Sequence, residues 1–178
     1  MNPISFVLIA VFPAIVIVAA LRDATTMTIP NGLCLTGLLA FAPVAMLAHM
    51  PFNAIGLSAG VCISCLVAGM AMFAVRWIGG GDAKLLAVCG LWMGWPLLMT
   101  FLFWTAVAGG GLAIGLLIVR KLARSDGSQF AKRSGPAWLT RLLQPDGDIP
   151  YGVAIAVGAI TAYPTAPVFQ LLQTAAHY

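Results

Sequence analysis

The stretch Gly79-Gly80-Gly81-Asp82-Ala83-Lys84 places three glycines and a carboxylate at the start of a long apolar segment. Glycine has no Cβ, so the backbone here can adopt positive φ values and let another chain approach closely. An ionisable residue at the edge of a bilayer, or inside it, is costly and is by default a functional candidate. A second carboxylate, Asp23, follows the first apolar segment. These two residues together predict a two-aspartate catalytic site in a membrane.

The composition of the chain is that of a membrane protein. Of its 178 residues, 61% are hydrophobic and 8% are charged, whereas soluble domains carry about 25% charged residues. The apolar residues form long blocks that are nearly free of charge, a pattern typical of membrane-spanning helices. We expect the first block to be a retained helix, because it has neither the basic start nor the cleavage site of a signal peptide.

The net charge of +4 would fit a nucleic-acid partner in a soluble protein. In a membrane protein, however, basic residues mostly report orientation. We therefore expect no nucleic-acid partner.

The apolar blocks and the turn residues between them predict one all-α integral membrane domain over residues 1–178, with six transmembrane helices. The predicted helices cover residues 4–21, 32–48, 54–75, 82–95, 97–119 and 150–172, with a polar loop at 120–149. The fourth helix rises only about 21 Å, at about 1.5 Å per residue, against a hydrocarbon thickness near 30 Å. Asp82 is therefore expected below the membrane surface, in a recess lined by protein or water.

The charged residues support six helices. They fall in residues 22–23, 76–84 and 120–148, which are the first, third and fifth connections of a six-helix chain and lie on one side of the membrane. The positive-inside rule makes that side cytoplasmic and both termini periplasmic. A five-helix chain would separate the third stretch from the other two. Six helices also put Asp23 and Asp82 on the same face.

Two carboxylates held close together do not both ionise readily, so they share a proton and titrate as a pair. One of them can take a proton from a bound water while that water attacks a peptide carbonyl. The protonated partner then hydrogen-bonds the developing oxyanion and helps to protonate the leaving amine. The glycines Gly79, Gly80 and Gly81 would let an extended substrate lie against bare backbone beside Asp23 and Asp82.

Each aspartate also has a structural interpretation. Asp82 stands where a helix N-cap is expected, and Asp23 can form a weak interfacial ion pair with Arg22. The glycine run favours a site, because an N-cap needs no three preceding glycines. We expect Lys84 to be a cytoplasmic anchor whose stem lies along apolar surface.

The other polar residues are assigned structural roles. Asp146 and Asp148 are expected to be loop or cap residues, and His49 and His177 fall on the uncharged side of the predicted membrane domain. The four cysteines lie within apolar blocks, and one pair with CxxC spacing stands mid-helix without a second pair. They are expected to be packing residues, so we predict neither a metal site nor a cofactor.

Three segments resemble one family, the prepilin peptidases. Gly79-Gly80-Gly81-Asp82 resembles the GxGD motif of intramembrane aspartic proteases. Asp23 followed by Ile29-Pro30-Asn31 resembles the other catalytic motif of the family. Pro150-Tyr151-Gly152, with Ala154, resembles its PYG-type segment at the start of the last helix.

The resemblance implies a multi-pass leader peptidase of the bacterial inner membrane that cuts at the cytoplasmic face. Its substrates would be prepilin-like proteins with a short basic leader followed by an apolar helix. Asp23 and Asp82 would be the catalytic pair, and Gly79, Gly80 and Gly81 would shape the site. The lipid bilayer and a pilus secretion machinery are the other implied partners.

The larger members of this family carry a cytoplasmic domain with paired CxxC motifs and also N-methylate the mature pilin. Here the connector after the first helix is only residues 24–31, which leaves no room for such a domain. The resemblance therefore implies cleavage without methyl transfer, as in the short prepilin peptidases of Flp-type (tight-adherence) pili. Archaeal preflagellin peptidases are a related alternative.

Two other classes of function fit the same residues. A small transporter or channel could use the aspartate pair as a proton or cation site, although no inverted repeat is evident and both aspartates lie toward one face. A pilus-assembly scaffold that keeps the motifs without activity is the third hypothesis. Both carboxylates are intact, which favours the enzyme.

Overall fold

The computed structural model describes residues 3–125, 137–144 and 147–175, and these ranges are almost entirely α-helical. The helices are α1 (Pro3–Thr26), α2 (Asn31–Leu47), α3 (Phe52–Ala74), α4 (Gly80–Ser125), α5 (Ala137–Leu142), α6 (Tyr151–Ala162) and α7 (Pro167–Ala175), with a 3-10 turn at Tyr163–Thr165. The all-α prediction is confirmed for these ranges. Asp146 and His177, singled out from the sequence, lie outside the described residues.

Three helical stretches are long and apolar enough to cross a membrane: Ser5–Thr26, Phe52–Ala74 and Gly80–Leu122. α6 and α7, with the 3-10 turn between them, form a fourth candidate that is bent by 43°. Many large apolar side chains face outward, and Phe6 and Ile63 are each more than 60% exposed. Such extensive exposed apolar surface indicates contact with lipid, so the chain is a membrane protein.

α4 is interrupted at Gly94. Its φ of 66° and ψ of −179° are not helical and lie in a region that is essentially restricted to glycine. Pro96 follows and has no N–H to donate to the preceding turn. Residues 80–93 are called α4a below and residues 95–125 are called α4b. The break falls where the sequence predicts a turn, at Gly94-Trp95-Pro96.

α4a starts at the end of the bundle that holds Ile29 and Gly152, and α4b returns to that end. A methyl group added at Gly81 would lie 3.0 Å from Cβ of Ile29, and one added at Gly152 would lie 2.9 Å from Cδ1 of the same residue. One added at Gly109, in α4b, would lie 3.5 Å from the ring of Tyr151. In a straight helix, residues 81 and 109 would be about 40 Å apart at about 1.5 Å per residue. The chain therefore folds back at Gly94.

Small residues allow the helices to pack closely. Gly158 of α6 lies against α4b, where a methyl group would stand 2.9 Å from the carbonyl oxygen of Phe101. Gly69 of α3 lies against α4a, where a methyl group would stand 2.9 Å from Cβ of Ala83. Lipid tails are as apolar as leucine side chains, so close backbone approach of this kind is a main source of helix association in membranes.

An aromatic cluster fixes the bundle beside the turn at Gly94. The rings of Phe12 and Trp92 stack with centroids 4.9 Å apart, and Phe41 meets Trp92 edge-on at 5.5 Å. Trp92 also donates from Nε1 to the carbonyl oxygen of Gly37 at 2.9 Å. These contacts join α1, α2 and α4a, and they satisfy the indole N–H that would otherwise be buried without a partner.

The first helix is longer than the sequence predicts. We expected it to end near Leu21, with Asp23 at the start of a polar connector, but α1 continues to Thr26. Thr25 and Thr26 donate their hydroxyls to the carbonyls of Leu21 and Arg22, each at 2.7 Å. A hydroxyl bound within the helix in this way makes a threonine compatible with the last turn. Asp23 consequently projects from a helix and not from a loop.

Two other predicted boundaries differ. The predicted helix over 150–172 is broken after Ala162, because prolines at 164 and 167 lack the N–H groups that would continue it. Within the predicted loop 120–149, α4b continues to Ser125 and the short α5 follows. Polar composition marked this stretch as a loop, but Lys and Arg are also good helix formers.

We predict that Gly94→Ala destabilises the protein by about 1–3 kcal/mol, because a Cβ disfavours the conformation that reverses the chain. Gly115→Ala, in α4b, is the matched control, since an added methyl there meets nothing within 4 Å. Thermal unfolding of both variants in the same detergent measures the difference. Equal melting temperatures would show that the Gly94 conformation is not needed for the fold.

Candidate active site

Asp23 binds the N-terminus of another helix. Its side chain is 5% exposed, and Oδ2 accepts a hydrogen bond from the backbone N–H of Gly152 at 2.7 Å. The first N–H groups of a helix have no partner within it and carry partial positive charge. Pro150, the N-cap of α6, makes no side-chain cap. Asp23 therefore supplies from α1 the cap that α6 lacks locally.

Gly152 is required by this contact. A methyl group at this position would lie 2.8 Å from Oδ2 and 3.0 Å from Cβ of Asp23. Both distances are too short for a side chain, so any other residue would displace the carboxylate or α6. Gly152 belongs to the PYG-type segment, but no site role was predicted for it from the sequence. The available signal was a glycine in the first turn of a helix that opens with proline.

Asp82 lies in the first turn of α4a and is 8% exposed. Its Oδ2 accepts from the backbone N–H of Gly79 at 3.1 Å, while the Gly79 carbonyl accepts from the N–H of Ala83, also at 3.1 Å. Gly79 is therefore the N-cap, and Asp82 is the third helical residue, which reaches back as in a capping box. The interpretation of Asp82 itself as the N-cap is therefore wrong.

The second oxygen of Asp82 is free for chemistry. Oδ1 is buried and has no hydrogen-bond partner among the described residues. A buried carboxylate oxygen without a partner is strongly disfavoured. Such groups in native structures usually have a water, an ion or a catalytic role.

The structure brings the two carboxylates together. The charge of Asp23 acts on Asp82, and the Gly152 amide is a neighbour of both. Ile29, in the connector between α1 and α2, packs against Gly81 on one side and Gly152 on the other. The carboxylate pair therefore sits where α1, α4a and α6 meet.

The three glycines before Asp82 have different surroundings. The N–H of Gly79 binds the Asp82 carboxylate, and Gly81 lies against Ile29. Gly80 instead lies against the ring of Phe73 in α3, where a methyl group would be 3.5 Å away. Two of the three predicted site-shaping glycines thus lie beside the pair, and the third contacts α3.

Lys84 joins α4a to α2. Its Nζ donates to Oδ1 of Asn31 at 2.7 Å, and the bond is exposed. Asn31 begins α2 and directly follows the connector that holds Ile29. Lys84 was expected only to anchor the helix at the membrane surface. Its hydrogen bond to Asn31 also holds this connector against the start of α4a.

Arg120 fastens the segment that leads into α6. The residue is 7% exposed. Its Nε donates to the carbonyl oxygen of Leu142 at 3.0 Å, and its Nη2 donates to that of Asp148 at 3.2 Å. The guanidinium thus holds the end of α5 and the approach to Pro150. The side chain of Asp148 is exposed, as expected for a loop residue.

We predict that Arg120→Met lowers stability by about 1–3 kcal/mol, because one buried carbonyl and one partly buried carbonyl lose a charged donor. Lys121→Met is the matched control, since Lys121 is the next residue of the same helix and is exposed. Thermal unfolding in detergent compares the two variants. If Arg120→Met melts together with Lys121→Met, the guanidinium does not hold the segment.

Taken together, the site has the elements of carboxylate acid–base chemistry. Two buried carboxylates share one amide neighbour, and one of them presents an oxygen without a protein partner. One member of such a pair can accept a proton while the other donates one. The glycines around the pair leave the adjoining backbone bare.

Comparison with known proteins agrees with the motifs. The profile of the Type IV leader peptidase family matches residues 10–114. The chain is 25% identical over 148 residues to the prepilin leader peptidase/N-methyltransferase of Bacillus subtilis (strain 168), and the match covers 83% of this chain and 60% of that protein. No solved structure gives a significant match. The predicted likeness to the prepilin peptidases, which are proteolytic enzymes, is confirmed, and the chain belongs to the type IV leader peptidase family.

Proposed function

We propose that this protein is an aspartic endopeptidase that removes the short basic leader from prepilin-like proteins at the cytoplasmic face of the bacterial inner membrane. Asp23 and Asp82 are its catalytic pair, and no cofactor takes part. The proposal rests above all on one observation: Asp23 and Asp82 come from distant parts of the sequence, yet both lie buried at the Gly152 amide. Family membership supports leader processing as the reaction.

The reaction starts with a water placed between the two carboxyl groups. The ionised member of the pair takes a proton from this water, and the water oxygen attacks the carbonyl carbon of the scissile peptide. The protonated member hydrogen-bonds the carbonyl oxygen as negative charge develops on it. When the tetrahedral intermediate collapses, the C–N bond breaks and the leaving amine takes a proton from the pair.

The hydrogen bonds of the site support these roles. The Gly152 amide fixes Oδ2 of Asp23, and the Gly79 amide fixes Oδ2 of Asp82. Oδ1 of Asp82 keeps its hydrogen-bonding capacity for the water or the substrate. Fixed carboxylates that need no reorganisation during the reaction are what acid–base catalysis requires.

For the membrane topology we propose six spans, with α4a and α4b as two of them and both termini periplasmic. The fold-back of α4 at Gly94 supports this count, because it returns α4b to the end of the bundle that holds the carboxylates. The basic residues of the first, third and fifth connections then lie on the cytoplasmic side. The carboxylate pair lies at that same end.

We propose further that the enzyme cleaves without N-methylating the product, as in the short peptidases of Flp-type pili. The Bacillus relative is described as carrying both activities, and the chain spans about 60% of its length. Here α1 and α2 are joined directly by residues 27–30, and that connector packs into the site through Ile29. Mass spectrometry of the mature N-terminus, with a methyl donor present, tests the absence of N-methylation. A methylated product would contradict it.

We predict that Asp23→Asn and Asp82→Asn each reduce cleavage by at least about 100-fold, because asparagine keeps the size of the side chain and removes its acid–base function. The assay is the mobility shift of a co-expressed Flp-type prepilin, with membrane levels of each variant matched. Asp148→Asn is the control, since its exposed side chain lies in the loop before α6 and should leave cleavage unchanged.

The outcomes separate the candidate functions. Near wild-type cleavage by either aspartate variant would refute the two-aspartate mechanism. If the folded wild-type protein cuts none of several prepilins, the peptidase proposal fails. Proton flux in proteoliposomes that depends on Asp23 and Asp82 would then identify a transporter.

We also predict that Gly152→Ala reduces cleavage by about 10-fold or more, because the added methyl would lie 2.8 Å from the Asp23 carboxylate and misplacement of about 1 Å is costly in catalysis. Gly60→Ala is the control, since a methyl there meets nothing within 4 Å. Cleavage rates are compared at equal folded protein. An unimpaired Gly152→Ala enzyme would mean that the close contact is not needed for activity.

A further inference from the structure

An apolar cavity of about 430 Å³ lies between the end of α3, the two segments of α4, and α6. Its lining includes Met72 from α3, Leu86 from α4a, Ala106 from α4b and Ile155 from α6. The volume falls within the range of about 300–1,000 Å³ that is usual for ligand pockets. It is not used by the proposed chemistry.

The cavity adjoins both carboxylates. Ile78, in its lining, directly precedes the residue whose amide binds Asp82. Leu86, also in the lining, follows Asp82 by about one helical turn. Tyr151, on the other wall, directly precedes the residue whose amide binds Asp23. A chain bound at the carboxylate pair can therefore continue into the cavity.

One rim of the cavity faces the apolar outer surface of the bundle. Ala106 and Gly110 of α4b line the cavity and are both exposed. They belong to the Gly80–Leu122 stretch that is long and apolar enough to cross a membrane. An occupant can therefore enter sideways from the hydrocarbon region, which suits a membrane helix and not a soluble ligand.

Thr105 lines the cavity without offering it a polar group. Its hydroxyl oxygen is buried and packs against Gly158 of α6, where an added methyl group would clash with it. The cavity therefore suits apolar side chains. Because it also adjoins the carboxylate pair, side chains next to a bound scissile peptide can reach it, whereas a lipid acyl chain has no such link to the pair.

We propose that this cavity is the specificity pocket for the first apolar residues on the mature side of the scissile bond. The inference rests on the proposed peptidase function and deepens it. The leader side is basic and would be disfavoured in an apolar lining, so the apolar mature side is the part that fits. Ala106 sets the space available to the substrate side chains. It determines specificity and takes no part in the chemistry.

The test compares Ala106→Phe with Val107→Phe, using purified protein and a prepilin substrate in detergent or proteoliposomes. Phe at 106 fills the cavity, whereas Val107 is the next residue of the same helix, is 49% exposed and is not in the lining. We expect Ala106→Phe to raise KM by about 10-fold or more with kcat within about twofold, because it removes substrate binding and leaves the carboxylates unchanged. Val107→Phe should match wild type.

A substrate with a smaller side chain distinguishes a filled pocket from a misfolded enzyme, because only a filled pocket can be compensated by the substrate. Each apolar residue after the scissile bond is changed to Ala in turn. At one position the smaller side chain should restore cleavage by Ala106→Phe, because the occupant and the pocket are then again matched in volume. If no substrate variant restores cleavage, Ala106 does not set the pocket size and the proposal is wrong.

One further measurement keeps the test decisive if Ala106→Phe folds poorly. A photo-reactive residue at 106 in the Asp82→Asn background should crosslink to the mature side of the prepilin, whereas the same residue at 107 should not. Crosslinks to lipid alone, or to a second copy of the enzyme, would overturn the proposal.

The two proposals fail in different ways. If wild type cuts no prepilin, the peptidase function fails and the pocket assignment fails with it. If wild type cuts normally and Ala106→Phe and Val107→Phe behave alike on every substrate, the peptidase function stands and the pocket assignment is overturned.

Discussion

The hydrogen bond from the Gly152 amide to Asp23 is the interaction on which the site depends. It joins the end of α1 to the start of α6, and it satisfies a helix N-terminus that Pro150 leaves uncapped. The same contact brings Asp23 beside Asp82. A structural requirement, that a buried helix end needs a partner, is thus met by a group that is also placed for catalysis.

Two other features serve this junction. The fold-back at Gly94 returns α4b to the carboxylate end, so that α6 packs against α4b as well as against α1. Arg120 in α4b then holds the backbone just before Pro150 through two carbonyls. The position of the Gly152 amide is consequently fixed from α1 and from α4b. Rigid elements on both sides are what a preorganised pair of carboxylates requires.

Much of this arrangement follows from the sequence. Long uncharged blocks specify apolar helices, because every backbone polar group in hydrocarbon must be satisfied within the segment. Asp23 and Asp82 stand out because carboxylates at the ends of such blocks are rare and costly. The break at Gly94 was also predictable, since Gly-Trp-Pro combines a permissive residue with one that lacks an N–H. The end of α1 was not, because Thr25 and Thr26 are weak helix formers that nevertheless remain in the helix, with their hydroxyls bound to carbonyls of the preceding turn.

The sequence by itself determined the helical membrane class, the two carboxylates and the family motifs, because composition and local spacing carry that information. Only the tertiary structure decided which amide Asp23 binds, which oxygen of Asp82 stays without a protein partner, and where an apolar cavity adjoins the pair. These are contacts between α1, α4 and α6, which are distant in sequence. They depend on how closely particular glycines let the helices approach, and that is fixed by packing in three dimensions and not by any local pattern.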